Sequence, residues 1–222
     1  MPSLVDGNPR VTVRRSLNYM MADPEGLKRH LAGALLLFVP VLGWVPAAGY
    51  PLRVICRVAN GNESLPPWER FGDLAVKGFV FWLAWFTYNL PLALLNRIGG
   101  GGSLTSPTLL WSLLVYFLLP AGLILYLQTG SLLGLYRFDR HLELIRRNFR
   151  DYMVAWLVSM FAWTFGGFGM AAALNITRTR GSLLGLGAFL LAAFTLYWAV
   201  LATAHLFGVV AQRSTAQLPN LP

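Results

Sequence analysis

Residues 182 to 211 read SLLGLGAFLLAAFTLYWAVLATAHLFGVVA, thirty positions without one Asp, Glu, Lys or Arg. A helix needs about 20 apolar residues to cross a hydrocarbon core roughly 30 Å thick, so this stretch is long enough to span a bilayer. Its one histidine is His205.

Four more apolar runs precede it, near 31 to 52, 74 to 95, 107 to 135 and 152 to 174, and none contains an acidic side chain. The 222 residues are 56% hydrophobic and 12% charged, against roughly 25% charged in soluble domains. The pattern predicts an all-α, polytopic transmembrane helical bundle. It has about four full spans (74–96, 107–135, 152–174 and 182–211) and a proline-broken N-terminal hydrophobic segment. The first run begins behind Arg10, Arg14, Arg15, Lys28 and Arg29, too late for a cleavable secretory signal, so the chain is taken as mature. Three parts follow: an amphipathic segment over 1–26, a single transmembrane domain over 27–211, and a disordered polar tail over 212–222.

Between the runs lie shorter signals. Residues 10 to 21 set Val13, Leu17 and Met20 against Arg14, Arg15 and Asn18, the spacing of an amphipathic helix lying on headgroups. Asp23-Pro24-Glu25 predicts a helix start, with Asp23 as cap. Residues 60 to 73 form a polar, turn-rich connection in which Trp68 suits the membrane interface. Asn89-Leu90-Pro91 predicts a kink, and Gly99 to Gly102 a linker. Phe138, Leu142, Ile145, Phe149 and Tyr152 recur at helical spacing opposite Arg140, Glu143, Arg146, Arg147 and Arg150, the mark of an interfacial helix.

The first run holds Pro40, Gly43, Pro46 and Pro51, and interior prolines remove backbone hydrogen bonds and crowd the preceding turn. Two topologies are open. If this run crosses once, the basic residues divide eight to ten between the two sides, with no bias. If it enters and returns near Pro40 to Pro46, they divide fifteen to three, with Arg97, Arg178 and Arg180 alone on the far side. Lysine and arginine near span ends favour the cytoplasm. The re-entrant reading therefore puts the N-terminus and the 137–150 segment there, and a single bent crossing is the alternative.

A net charge of +9 raises nucleic acid as a partner, but the basic residues lie beside membrane segments, where anionic lipid accounts for them. Arg14, Arg15, Arg140, Arg146, Arg147 and Arg150 are the expected headgroup contacts. Cys56 is the single cysteine, and no Cys or His cluster has metal spacing, so no metal and no cofactor is expected. The candidate ligand positions are Asn89, beside Pro91, and His205, because polar groups within a span are functional candidates. Their structural alternatives are that Asn89 satisfies carbonyls freed by the proline and that His205 bonds a neighbouring backbone. Glu63, Glu69 and Asp73 are a third, weaker cluster, whose plain reading is loop charge balancing Arg70 and Lys77. Gly166, Gly167 and Gly169 form a small-residue patch that lets helices approach. The pentapeptide Gly-Ser-Leu-Leu-Gly occurs at 130–134 and 181–185 without establishing a repeat.

Gly49-Tyr50, Arg53, Arg57, Asn60-Gly61, Leu65-Pro66, Trp68, Gly72-Asp73-Leu74 and Lys77-Gly78, followed by Tyr88, Pro91 and His205-Leu206-Phe207-Gly208, resemble domain-of-unknown-function family 4013. That group comprises small prokaryotic membrane proteins, and the likeness runs over nearly the whole chain. Val209-Val210 stand where that family usually shows a polar residue. The resemblance implies a multi-helix domain in a prokaryotic cytoplasmic membrane and supplies no activity. With no catalytic constellation in view, the expectation is a non-enzymatic accessory or scaffolding component acting with lipids, a membrane protein partner or a second copy of itself. The alternative is a small permease or channel subunit using a broken-helix site near Asn89.

Overall fold

Two separate helices occupy the first apolar run. The computed structural model describes residues 13–21, 23–39, 42–98 and 106–217, so Arg10, Pro40, the Gly99 to Gly102 linker and the tail beyond 217 lie outside the described residues. Helix α2 (Gly26–Leu36) gives way to a turn over 37–39, and α3 (Trp44–Ala59) begins after Gly43. Pro46 sits in the first turn of α3, where the backbone N–H has no helical partner to lose. Pro51 lies inside the helix, which continues past it. The break therefore falls between the end of α2 and Trp44, and the later prolines do not add to it.

Ahead of α2, α1 (Val13–Leu17) is shorter than the expected amphipathic segment, and its remaining turns over 18–21 are not helical. Asp23 does not cap α2, which starts at Gly26. Its carboxylate accepts the Glu25 N–H at 2.9 Å and turns outward to Leu65 N–H at 3.0 Å.

Helix α8 (Ser182–Gln217) is the bed on which the rest is laid. Helix α7 (Phe149–Arg180) lies antiparallel to it: a Cβ at Gly166 would strike Leu196, one at Gly185 would strike Thr177, and Asp151 pairs with Arg213. Tyr19 stands against His205 and His30 against Phe194, whereas Tyr50 stands against Tyr197 and Val58 against Gly208. The chain thus runs toward the middle of α8 through α2 and back toward its C-terminal end through α3. Helix α4 (Phe71–Ile98) returns antiparallel to α3, with Gly49 on the Leu74 carbonyl and Gly78 on the Val45 carbonyl. The buried rings of Tyr50, Tyr152 and Tyr197 fill the centre of the main core, while Leu52, Val80, Ala84, Leu119 and Leu123 form a second core between α3, α4 and α5 (Ser106–Thr129).

Several expected boundaries move. The 107–135 span stops at Thr129, because Gly130 takes a positive φ of 67° and residues Leu132–Tyr136 fold back as a 3-10 segment, η1. Ser131 fixes that reversal by accepting the Leu133 N–H. The expected loop at 175–181 is almost wholly helix, and Gly181 alone, at φ 98°, joins α7 to α8. Both copies of the pentapeptide thus open on a glycine in the left-handed region, where a side chain would be strained. The tail begins later than read from sequence, since α8 carries helix through 212–217.

Among the described residues three helices are long and apolar enough to cross a membrane: Thr108–Thr129, Phe149–Arg180 and Leu183–Ser214. Helix α4, expected as a further span, is not one of them. Lys77, Trp82, Trp85, Tyr88, Asn89 and Pro91 dilute its apolar content, although it is unbroken through Pro91. The Trp111 indole of α5 donates to the Tyr88 carbonyl at 3.0 Å, one residue from the carbonyl that Pro91 leaves without an N–H.

The ends of the bundle differ in charge. Gly61 approaches Gln212, Gln128 donates to Ser214, and Asp151 meets Arg213, which gathers the loop after α3, the end of α5, the start of α7 and the end of α8. Fourteen of the described Lys and Arg belong to this end, and Arg97, Arg178 and Arg180 to the other.

Candidate functional site

The loop over residues 60–70 joins α3 to α4, and three arginines from two helices hold it. Arg53, on α3, donates from Nη1 to the Pro67 and Glu69 carbonyls at 3.2 and 2.6 Å. Its Nη2 reaches the Arg70 carbonyl at 3.3 Å and Asp73 Oδ2 at 2.8 Å. One turn further on, Arg57 donates to Ser64 Oγ at 2.7 Å. Arg29, on α2, bonds Asp23 Oδ2 at 2.9 Å, Glu25 Oε2 at 2.6 Å and the Leu65 carbonyl. A guanidinium suits this work because its donors are fixed in a planar fork and stay charged.

Aromatic side chains complete the clasp. The Tyr50 hydroxyl donates to the Pro66 carbonyl at 2.7 Å, and its ring stacks on Trp68 at 4.2 Å. Trp68 donates from Nε1 to the Arg29 carbonyl at 2.7 Å, and Tyr19 donates to the Ser64 carbonyl at 3.2 Å. Leu65 is fully buried beneath these contacts. Arg70 holds a φ of 53°, left-handed for a residue with a Cβ, at the point where the loop turns into α4.

The three acidic residues of the loop do not converge. Glu63 pairs with Arg15, Asp73 pairs with Arg53 and Lys77, and Glu69 contributes its carbonyl to Arg53. Burial pulls the Asp73 carboxyl upward, but hydrogen bonds from Lys77 and Arg53 outweigh it and hold the group below its ordinary range. Among the described residues no three His, Cys, Asp or Glu side chains are grouped to hold a metal ion.

His205 faces α1 and the turn after it: its Nδ1 lies 2.8 Å from Ser16 Oγ and its ring 4.5 Å from that of Tyr19. The partner is a side chain 189 positions away rather than a neighbouring backbone, a pairing that no local pattern could signal. Asn89 donates to the Trp85 carbonyl of its own helix at 2.8 Å, and nothing brings it near His205. Two further histidines are fully buried: His30 bonds the Phe194 carbonyl at 3.0 Å, and His141 the Gly134 carbonyl at 2.9 Å.

The arginines expected at the headgroups separate into two kinds. Arg15 is engaged with Glu63, and Arg140 and Arg147 both grip Glu143, at 3.0 and 2.7 Å. Arg14, Arg146 and Arg150 are exposed. Of the residues in the loop site, Arg53, Arg57, Leu65, Pro66, Trp68 and Asp73 stood in the sequence as a spaced block, whereas the contributions of Asp23 and Arg29 became visible only in three dimensions.

A family model described as a protein of unknown function, DUF4013, matches residues 32–177. The match takes in α3, the clasped loop and Asp73, and it ends within α7, so the His205 to Gly208 block lies beyond it. No curated protein and no solved structure matches the chain.

Proposed function

The chain belongs to the DUF4013 family, and from that membership we propose that it is a multi-pass protein of a prokaryotic cytoplasmic membrane that works through its architecture, as an accessory or scaffolding component for lipids or membrane partners. In this reading α4, α5, α7 and α8 cross the bilayer and the α2–α3 pair enters and returns. The N-terminus, the clasped loop and α6 (Phe138–Arg147) share the cytoplasmic side.

The observation that carries the proposal is the charge distribution, fourteen described basic residues at one end of the bundle against three at the other. Arginine and lysine near span ends favour the cytoplasmic side, and only a returning α2–α3 pair gives so strong a bias. Backbone exposed at the turn needs cover by protein, and α8 lies against both arms. The accessory role draws its support from the loop site: Arg29, Arg53, Arg57 and Asp73 are engaged in holding the loop and one another.

Reporter fusions at Gly7 and Gly61 are expected to report the same compartment, and opposite compartments overturn the returning pair. For the role itself, affinity purification from membranes is expected to recover a stoichiometric membrane protein partner, with solute uptake unchanged in a deletion strain. Solute-dependent flux in proteoliposomes that disappears in Asn89→Ala would replace this reading with a permease.

A further inference from the structure

Helix α6 divides into three faces. At 100° per residue, His141, Leu144, Ile145 and Asn148 point to one side and are buried, with His141 against Gly122 of α5. A quarter turn round stand Phe138, Leu142 and, just past the helix end, Phe149. These three are 48%, 59% and 60% exposed, so the apolar stripe expected from the sequence is split, Ile145 and Tyr152 going inward and the other three outward. Leu132, Leu133 and Tyr136 of η1 are exposed as well and lengthen the apolar surface.

The third face is charged, and its charges are unequal in availability. Both Glu143 oxygens are occupied by Arg140 and Arg147, and Asp139 lies nearest Arg140 at 3.8 Å. Asp151 is taken by Arg213. Arg146, in the last turn of α6, and Arg150, next to Phe149 in the first turn of α7, are exposed and have no ion-pair partner among the described residues. An exposed apolar strip edged by two unneutralised guanidinium groups complements one kind of occupant, a molecule with hydrocarbon on one side and a phosphate on the other.

We infer that η1 and α6 lie in the plane of the membrane surface and hold an anionic phospholipid, with its acyl chains along Phe138, Leu142 and Phe149 and its phosphate between Arg146 and Arg150. This rests on the membrane reading above and narrows it to a named partner. Amphipathic helices seat themselves at the headgroup boundary in this way, and arginine forks bind phosphate oxygens in pairs.

The test is native mass spectrometry of the full-length protein in a neutral detergent, titrated with dioleoylphosphatidylglycerol and, as control, dioleoylphosphatidylcholine. The wild type is expected to prefer phosphatidylglycerol. In Arg146→Gln/Arg150→Gln that preference falls by about thirtyfold, as loss of two surface arginines at about 1 kcal/mol each implies. In Arg140→Gln/Arg147→Gln, which removes the same net charge, the preference stays within about twofold of wild type, because those groups face Glu143. Leu142→Gln weakens both lipids together. An unchanged preference in Arg146→Gln/Arg150→Gln, or an equal fall in both double variants, overturns the site. The fusions at Gly7 and Gly61 report separately on topology. A failed lipid site with intact topology therefore refutes only this inference, and a failed topology refutes the premise.

Discussion

Gly49 and Gly78 face each other where α3 crosses α4, and each lies against a backbone carbonyl of the opposite helix: an added Cβ would come to 1.9 Å from Leu74 O and 1.8 Å from Val45 O. No rotamer relieves a clash with main chain, so the helices must separate. Gly78→Ala is expected to cost about 1–3 kcal/mol, read as a lower melting temperature in detergent, while Gly72→Ala, which meets open space in the first turn of α4, leaves the melting temperature level or raises it slightly. His141 supplies a second test. Burial lowers the pKa of its imidazole from 6.5, with the Gly134 carbonyl opposing the shift. Below about pH 6.5 the unfolded chain takes up a proton that the folded chain refuses, so stability falls as the solution is acidified and is level above that point. Melting temperatures between pH 7.5 and 5 are expected to show this slope, and His141→Gln to remove the share that His141 contributes.

Among the elements, the long uncharged stretches were legible because length and apolarity are local properties, and α5, α7 and α8 follow from them directly. The break before α3 was legible for the same reason, since Gly43 and its neighbours mark it in sequence. What could not be read was the fate of turns: Gly130 stops α5 six residues early while Gly181 alone replaces a loop, a difference set by packing rather than by composition. The clasped loop lies between these cases. Its spaced Arg53, Trp68 and Asp73 stood in the sequence as part of the resemblance, but the bonds from Arg29 and Tyr19 join residues 36 and 45 positions apart. Arg53 feeds three carbonyls and one carboxylate. Arg53→Lys, with a single ammonium in place of the fork, is expected to cost about 1–3 kcal/mol and to open the loop to trypsin at Arg70, seen as a cleavage absent from the wild type under the same digestion.

At the level of the whole molecule, the charges gathered at one end also tie down the structure, because seven of the fourteen described basic residues there have carboxylate or carbonyl partners. With Cys56→Ser as background, single cysteines at Ser131 and Arg180 mark the two ends. A membrane-impermeant maleimide added to intact cells is expected to label Arg180→Cys at once and Ser131→Cys only after permeabilisation, and labelling of both from outside would refute the orientation. The seating of α1, α2 and α3 on α8 also bears on how the protein is made. The ribosome delivers those three pieces first and their berth last, so the early segments must wait, unseated, until the end of translation. A chain stalled before residue 182 would leave its N-terminal third without a resting place, a natural target for membrane quality control.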